Sequence, residues 1–294
     1  MAETTIPAPA LAALMDWYQR SARPLPWRAD DFGAWGILVS EIMLQQTQVS
    51  RVIPALEAWL NRWPTPADLA AASPADVLRA WDRLGYPRRA LALQRAAAVI
   101  ASQHKNRVPD RLDDLLALPG IGDYTARAVL VFAYGQHEPV VDTNTRRVIA
   151  RAVHGRAAAA APSKRDLADM AALLPEQPSD STVVNAAMME LGATICTARN
   201  PGCDRCPIQS VCRWRALGYP TDDTLPVRRQ ARFQGSDRQA RGLLMAALRA
   251  SPAGVAESAL LRHVSEPEQA SRALASLLSD GLAVQSGPNV RLPD

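Results

Sequence analysis

All four cysteines of this chain lie in one short segment, at Cys196, Cys203, Cys206 and Cys212. Their spacing is C-x6-C-x2-C-x5-C, so every thiol of the 294-residue chain is committed to one loop. The sequence shows no charged-then-apolar export signal and no apolar run long enough to span a bilayer. We therefore expect a cytoplasmic protein with no membrane partner, in which reduced thiols bind a metal or a cluster rather than form disulfides.

The spacing of the cysteines favours an iron–sulfur cluster over zinc. A zinc site usually combines two short C-x2–4-C pairs, whereas only Cys203 and Cys206 form such a pair here. Asymmetric runs of four cysteines are typical of iron–sulfur clusters. Four protein ligands leave no open coordination position, so the simplest role of such a cluster is to hold the loop in shape.

Apolar residues recur at helical spacing along most of the chain, and the first two-thirds predicts an all-helical body. A polar linker is predicted at 218–235. Beyond it, the pattern predicts three helices and a hairpin, which is typical of a small winged-helix module that binds DNA or protein. The predicted helices lie at about 8–20, 33–47, 51–62, 75–83, 87–104, 123–134, 143–153, 164–174, 181–194, 237–250, 255–264 and 266–280.

Three further features carry chemistry, each with a plainer alternative. The turn Leu118-Pro119-Gly120-Ile121-Gly122 can turn backbone amides towards a phosphate, or can simply join two helices. Asp142 follows an apolar pair and precedes a helix, so it is either a reactive carboxylate or an N-cap. Glu41 lies inside an apolar helix, where it serves as a general acid or forms a salt bridge to a residue such as Arg28. The net charge of +4 and the pI near 9.1 suggest a polyanionic partner without establishing one.

Taken together, the turn, Asp142 and the cysteine loop resemble the helix–hairpin–helix DNA glycosylases that carry a [4Fe–4S] cluster. Within that superfamily, four segments resemble the A/G-mismatch adenine glycosylases, the MutY family. These segments are Leu25-Pro26-Trp27-Arg28, Glu41-Ile42-Met43-Leu44-Gln45-Gln46-Thr47-Gln48-Val49, Leu84-Gly85-Tyr86 and Met189-Glu190-Leu191-Gly192-Ala193.

The resemblance implies an all-α, two-lobed fold. A six-helix barrel at 30–135 would be followed by an iron–sulfur lobe at 136–217, against which the N-terminal segment 1–29 packs. The linker at 218–235 and the winged-helix-like tail at 236–294 complete the predicted organisation. In such a fold, Glu41 and Asp142 would face each other across a cleft.

The resemblance also implies the reaction and its partner. The expected enzyme is a monomeric, monofunctional glycosylase of base excision repair, and it would remove adenine mispaired with 8-oxoguanine or guanine from double-stranded DNA. Glu41 would protonate the base, Asp142 would stabilise the sugar cation, and Tyr124 and Asn144 would orient these groups. The residues expected to bind substrate or DNA are Arg28, Gln46, Tyr86, Leu118, Gly120 and Gly122.

Tyr124 bears on the type of reaction, because lyase-active relatives similar to endonuclease III carry a lysine at this position. A phenol cannot form an imine with the sugar, so weak or absent strand cleavage is expected. The chain departs from the family in two respects. Its tail is too short for a Nudix-like domain, and Ala186 stands where family members often have a polar residue. Two alternatives therefore remain open: a thymine or uracil mismatch glycosylase, and a non-catalytic iron–sulfur regulator that binds DNA.

Overall fold

The computed structural model describes residues 5–29, 31–221 and 232–294, and helices dominate it. The first helices are α1 (Ala8–Ser21), α2 (Gly33–Leu44), α3 (Val49–Arg62), α4 (Pro66–Ala71), α5 (Pro74–Trp81), α6 (Arg88–Gln103) and α7 (Leu112–Leu116). The others are α8 (Asp123–Tyr134), α9 (Thr143–Ala152), α10 (Lys164–Ala171), α11 (Pro178–Thr194), α12 (Arg213–Ala216), α13 (Asp237–Ala250), α14 (Glu257–Leu261) and α15 (Pro267–Ser279). The all-helical body predicted from the sequence is confirmed, and none of the described helices has the length and apolarity needed to cross a membrane.

Local sequence explains where several helices begin. Thr65 accepts a hydrogen bond from the Asp68 amide, and the Asp68 carboxylate accepts one from the Thr65 amide, a capping box that starts α4. Ser73 accepts from the Asp76 amide at 3.1 Å and starts α5 in the same way. Proline occupies an early position of both helices, where its missing N–H costs no hydrogen bond.

Two predicted helices differ from the observed ones. The helix predicted at 33–47 ends at Leu44, because Gln46 adopts a positive φ of 58° that no α-helix contains. The helix predicted at 255–264 begins instead with strand β1 (Val255–Ala256), followed by the short α14. Val255 lies opposite Val290 in an antiparallel ladder, and this tertiary pairing overrides the helical pattern of the segment.

The described chain divides into two compact units. The first comprises Met1–Ala34, Asp110–Leu112 and Gly122–Val227. Its core lies where α1, α9 and α11 pack together. Fully or nearly fully buried members of this core are Leu14, Val148, Met170, Val184, Met188 and Leu191.

The second unit comprises Trp35–Pro109, Asp113–Ile121 and Arg228–Asp294. Within it α6 packs against α4 and α5. The Trp59 ring meets those of Trp63 and Trp81 edge-on, with centroid distances of 4.6 and 5.5 Å. Edge-to-face contacts of this kind add to the stabilisation that comes from burying the rings.

The C-terminal segment has the predicted three helices and hairpin, although β1 adds a third strand. Strands β2 (Val284–Ser286) and β3 (Asn289–Arg291) form the hairpin, and the sheet order is β1-β3-β2. The apolar core of this segment also includes Leu78 of α5, so the tail shares a core with the helices of its unit. Two ion pairs reinforce this contact, Arg88–Asp280 at 3.2 Å and Arg249–Asp82 at 3.8 Å. The domain boundaries drawn from the sequence stay a prediction, and residues 222–231 of the predicted linker lie outside the described residues.

Candidate active site and cysteine loop

Asp142 is the N-cap of α9, and its two carboxylate oxygens have different partners. Oδ1 accepts a hydrogen bond from the Thr145 amide at 2.7 Å, which caps the helix. Oδ2 accepts from the side-chain amide of Asn144, also at 2.7 Å. The plain N-cap interpretation is therefore correct for one oxygen, while the second oxygen belongs to a side-chain network.

That network continues from Asn144 towards the cysteine loop. Arg147, one turn further along α9, donates to the Asn144 Oδ1 at 2.7 Å. The same guanidinium donates to the Gly192 carbonyl and, through Nε, to the Cys196 carbonyl, each at 2.6 Å. A chain of hydrogen bonds thus joins the Asp142 carboxylate to the backbone of the first cysteine.

Gly192 allows this close packing of α11 on α9. A Cβ atom at this position would lie 2.7 Å from both the Cβ and the carbonyl oxygen of Asn144. Such distances are shorter than any van der Waals contact, so any larger residue would displace the start of α9. The glycine of the Met189–Ala193 motif therefore has a structural reason within this unit.

Glu190 is fully buried and binds two arginines. Its carboxylate accepts from Arg23 Nε at 2.7 Å and Nη2 at 2.8 Å, and from Arg28 Nη2 at 2.8 Å. Although burial opposes it, hydrogen bonding to Arg23 and Arg28 lowers the pKa of Glu190 to about 2. Arg28 also donates to the Arg23 carbonyl and lies 5.2 Å from the centre of the Tyr18 ring. Glu190 is thus the carboxylate that binds Arg28, and the predicted DNA contact of Arg28 stays a prediction.

Glu41 occupies the buried interior of α2. Only 6% of the residue is exposed, and it is preceded by a run of buried residues from Trp35 to Ser40. Glu41 belongs to the second unit and Asp142 to the first, so the predicted pairing of these carboxyls stays a prediction.

The predicted phosphate-binding turn has the backbone that its glycines suggest. Gly120 has a φ of +80°, and a Cβ atom there would lie 2.7 Å from the Ala92 Cβ. Gly122 is the N-cap of α8 and offers no side chain to the first amides of that helix. Leu118 is only 2% exposed, so its side chain packs in the core. Tyr124, in the first turn of α8, packs against a small buried apolar cluster.

Gln46 and Tyr86 lie on two exposed loops of the second unit. Both have positive φ values, 58° and 47°, which are uncommon for residues other than glycine. Tyr86 is 44% exposed, which is unusual for a large aromatic side chain. Exposure on a constrained backbone is consistent with the predicted insertion into a base stack, which stays a prediction.

The four cysteines line one pocket, together with Arg151 and Trp214. All four side chains are of intermediate exposure, and none of them forms a disulfide. Burial raises the pKa of the Cys206 thiol to about 12, and the three other thiols add to the increase, while a hydrogen bond from the Ile208 amide opposes it. Arg151 donates to the Cys196 sulfur at 3.4 Å.

This donor set fits an iron–sulfur cluster. Four thiolates in one pocket repel one another unless bound cations compensate their negative charge. The ferric and ferrous ions of an iron–sulfur cluster provide that compensation. The Arg151 guanidinium provides a further positive charge beside the sulfur atoms. Across the described residues, no three His, Cys, Asp or Glu side chains are grouped closely enough to hold a single metal ion. The fit therefore rests on the shared pocket and the ligand type.

Comparisons with known proteins identify the family. Residues 39–169 match the HhH-GPD superfamily of base excision DNA repair proteins, and residues 196–212 match the iron–sulfur binding domain of endonuclease III. The adenine DNA glycosylase of Mycolicibacterium smegmatis is 55% identical, over 93% of this chain and 92% of that protein. The chain belongs to the MutY family of DNA glycosylases. The adenine DNA glycosylase of Mycobacterium tuberculosis is 54% identical, over 93% of this chain and 90% of its own.

A solved structure shows the same fold. The structure of a thermostable thymine-DNA glycosylase superposes with a TM-score of 0.64 at 24% identity, covering 70% of this chain and 95% of that one. Membership of the MutY family confirms three predictions: the helix–hairpin–helix glycosylase fold, a base excision DNA repair enzyme that acts on DNA, and a [4Fe–4S] cofactor held by the cysteine loop.

Two residues that organise the site, Arg147 and Asn185, were not predicted as site residues from the sequence. Arg147 lies three residues after Asn144, a spacing that places both on one face of a helix, and this was the available signal. Asn185 is fully buried, and its amide bonds the backbone of Ser181, Glu138 and Val140 at 2.8 to 3.0 Å. It thereby fixes the segment that leads into Asp142.

Proposed function

We propose that this glycosylase removes adenine mispaired with 8-oxoguanine or guanine, acting as a monomer on double-stranded DNA. The observation that carries this proposal is the carboxylate of Asp142, whose Oδ2 is held by Asn144 at 2.7 Å. A carboxylate held in place by two N–H donors can present its charge to a cationic neighbour. Support also comes from the two mycobacterial relatives, each of which is an adenine DNA glycosylase.

In the proposed reaction, the target adenine first leaves the base stack, with Gln46 and Tyr86 filling the space it leaves. Glu41 in its neutral form donates a proton to N7 of adenine. The C1′–N9 bond then breaks, and its electron pair departs with the neutral base. The sugar becomes an oxocarbenium-like cation, which Asp142 stabilises by charge or by forming a covalent bond.

Water completes the hydrolysis. It adds to C1′, and the Glu41 carboxylate takes up the proton that the water loses, which restores the starting acid. Asn144 keeps Asp142 oriented, while Tyr124 occupies the place where a lysine would attack C1′. The product is an abasic site on an uncut strand, because the phenol of Tyr124 cannot form the imine needed for strand cleavage.

DNA is held in this proposal through its backbone by the turn that contains Leu118, Gly120 and Gly122. Amides at the start of α8 face a phosphate, and no side chain reads the sequence there. Arg28 orients the N-terminal segment through Glu190 and offers its remaining donors to DNA.

One experiment tests the substrate assignment. The protein is incubated with duplexes that contain A opposite 8-oxoguanine, A:G, T:G or U:G, and alkali then cleaves any abasic site. Cleavage confined to the adenine-containing duplexes is the expected result. Cleavage at T:G or U:G instead would replace this proposal with a thymine or uracil mismatch glycosylase. If none of the duplexes were cleaved, the result would favour the alternative of a non-catalytic iron–sulfur regulator that binds DNA.

A further inference from the structure

Arg89 links the end of one helix to a neighbouring loop. It lies in the first turn of α6, and its Nη1 donates to the carbonyls of Ile42 at 2.7 Å and Gln45 at 2.5 Å. These carbonyls belong to the last turn of α2 and to the residue that follows it. Arg89 therefore closes the C-terminal end of α2 from outside that helix.

The other nitrogen of the same guanidinium binds a second loop. Nη2 donates to the carbonyls of Leu84 at 3.3 Å and Gly85 at 3.0 Å, and to the Thr47 hydroxyl at 3.2 Å. Thr47 in turn donates to the Leu84 carbonyl at 3.1 Å. One planar side chain thus joins the loop that follows α2 to the loop that precedes α6.

Each of these loops holds a backbone conformation that its own sequence disfavours. Gln46 has a φ of 58° and Tyr86 a φ of 47°, and both have side chains. Conformations of this kind persist where the surroundings fix them. In both loops the bonds from Arg89 fall on residues directly adjacent to the strained one: Gln45 and Thr47 flank Gln46, and Gly85 precedes Tyr86.

The electrostatics of Arg89 also suggest a positioning role. Its hydrogen-bond acceptors in the described part of the chain are carbonyl and hydroxyl oxygens rather than carboxylates. Desolvation lowers the pKa of Arg89 to about 10, so the guanidinium remains charged at neutral pH. The partial negative charge at the end of α2 compensates for this burial in part. The Trp81 ring lies 5.2 Å from the guanidinium carbon and shields it on one side.

We infer that Arg89 is a positioning residue that fixes the two loops carrying Gln46 and Tyr86, and so sets the geometry with which these side chains enter the duplex. The inference rests on the proposed wedge role of Gln46 and Tyr86. This positioning role requires an arginine, because only a planar guanidinium with several N–H donors can bond both loops at once. A lysine in its place would keep the charge but reach only one loop at a time.

The first test needs no substrate. Amide hydrogen exchange is measured on the full-length protein for residues 44–48 and 84–88 in wild type, Arg89→Gln and Arg89→Lys. Arg95→Gln is the matched control, because Arg95 is an exposed residue of the same helix. We expect the amides of both loops to exchange at least about 10-fold faster in Arg89→Gln than in wild type. The exchange rate in Arg89→Lys should lie between those of wild type and Arg89→Gln, and the rate in Arg95→Gln should equal that of wild type. Unchanged exchange in both Arg89 variants would overturn the inference.

The second test measures base extrusion. A duplex with 2-aminopurine at the target position becomes more fluorescent when that base unstacks, and the rate of this increase is recorded together with single-turnover cleavage of an adenine duplex. Arg89→Gln is expected to slow both by about 10- to 100-fold, the scale on which misplacement of a positioning group acts, while the Kd for DNA changes less than about threefold. Arg89→Lys keeps the test decisive if Arg89→Gln fails to fold.

The outcomes separate the inference from the proposed function. If wild type does not cleave adenine duplexes, the proposed function fails, whatever Arg89 does to loop exchange. If wild type cleaves adenine while the Arg89 variants extrude 2-aminopurine at the wild-type rate, the function stands and the inference fails. Slower extrusion with faster loop exchange in the same variant supports the inference.

Discussion

Asn144 holds Asp142 by a single hydrogen bond of 2.7 Å from its side-chain amide to the Asp142 Oδ2. The other carboxylate oxygen caps α9 through the Thr145 amide. A residue that is both a helix cap and a proposed catalytic group must be tested with a substitution that separates the two roles. Asparagine meets this need because it caps helices about as well as aspartate but carries no charge.

Asp142→Asn is expected to reduce single-turnover cleavage by at least about 100-fold, since it removes the charge proposed to stabilise the sugar cation. The free energy of unfolding should fall by only about 1 kcal/mol, because the cap on the Thr145 amide is kept while the hydrogen bond from Asn144 to Oδ2 is lost. DNA binding should remain close to that of wild type. Rate constants, urea unfolding and a binding titration measure these three quantities, and near-normal cleavage by the variant would refute the role given to Asp142.

Gly192→Ala is expected to destabilise the protein by about 1 to 3 kcal/mol, because the new methyl group would overlap the Asn144 backbone and force α9 outwards. The same displacement should weaken the hold of Asn144 on Asp142 and slow cleavage by about 10- to 100-fold. Urea unfolding and single-turnover kinetics measure the two effects.

Gly242→Ala is the matched control for this substitution. Gly242 also lies within a helix, α13, but nothing is found within 4 Å of the position a Cβ would occupy. Alanine should therefore stabilise the protein there by about 0.5 to 1 kcal/mol, through helix propensity alone, and leave cleavage unchanged. Equal destabilisation by the two substitutions would show that close packing against Asn144 is not the cause.

The sequence could predict those parts of the molecule that depend on local pattern. The helix at 123–134 and the helix at 237–250 were predicted with the bounds that the structure has, because apolar periodicity and turn residues mark both ends. The cysteine spacing likewise favoured an iron–sulfur cluster over zinc, and the family resemblance implied the [4Fe–4S] type. The early end of α2 was missed, because the conformation of Gln46 depends on bonds from Arg89, which lies 43 residues further along the chain.

Parts of the candidate site were unpredictable for the same reason. Glu41 and Glu190 both lie in apolar helices. Nothing in the local sequence of Glu190 indicates its two arginine partners, and nothing in that of Glu41 distinguishes it from such a carboxylate. Only the fold brings Arg23 and Arg28 to Glu190. The strand at Val255 was missed because its backbone partner lies in the hairpin near the C-terminus.

The ion pairs of Glu190 should make stability sensitive to acid. The pKa of Glu190 is about 2 in the folded protein, below its value of about 4.5 when unfolded. The contribution is therefore fully present above about pH 4.5 and is lost as the pH falls towards 2. Its full size is on the order of 3 kcal/mol, and somewhat less than half of it is lost at pH 3.5.

Glu190→Gln removes this contribution. The variant should be less stable than wild type by on the order of 3 kcal/mol at pH 7, and this difference should narrow at pH 3.5. Urea unfolding of both proteins at pH 7, 5 and 3.5 measures it. If the difference in unfolding free energy between the two proteins stayed constant over this pH range, the arginine partners would not lower the pKa of Glu190.

Tyr124 leads to a prediction about the chemistry of strand cleavage. In lyase-active glycosylases, a lysine side chain forms a Schiff base with the sugar, and borohydride reduces that imine to a stable covalent adduct. Incubation of the wild-type protein with an adenine-mismatch duplex and borohydride should give no such adduct, while alkali should reveal an abasic site. An adduct formed in good yield would show that another amine, such as Lys105 or Lys164, reaches the sugar, and would overturn the monofunctional assignment.

The cysteine loop leads to a last prediction, which concerns both metal content and the path to Asp142. Purified protein should be brown and contain roughly four irons per chain, as four-thiolate clusters do.

Arg147→Gln should keep this iron, because Arg147 bonds the Cys196 carbonyl rather than its sulfur. It should nevertheless slow cleavage by about 10-fold or more, because Asn144 loses the donor that holds its oxygen. Iron analysis and single-turnover kinetics on the same preparations distinguish these effects. A zinc-loaded, colourless protein would contradict the cluster, and a normal rate in Arg147→Gln would show that Asn144 stays in place without this contact.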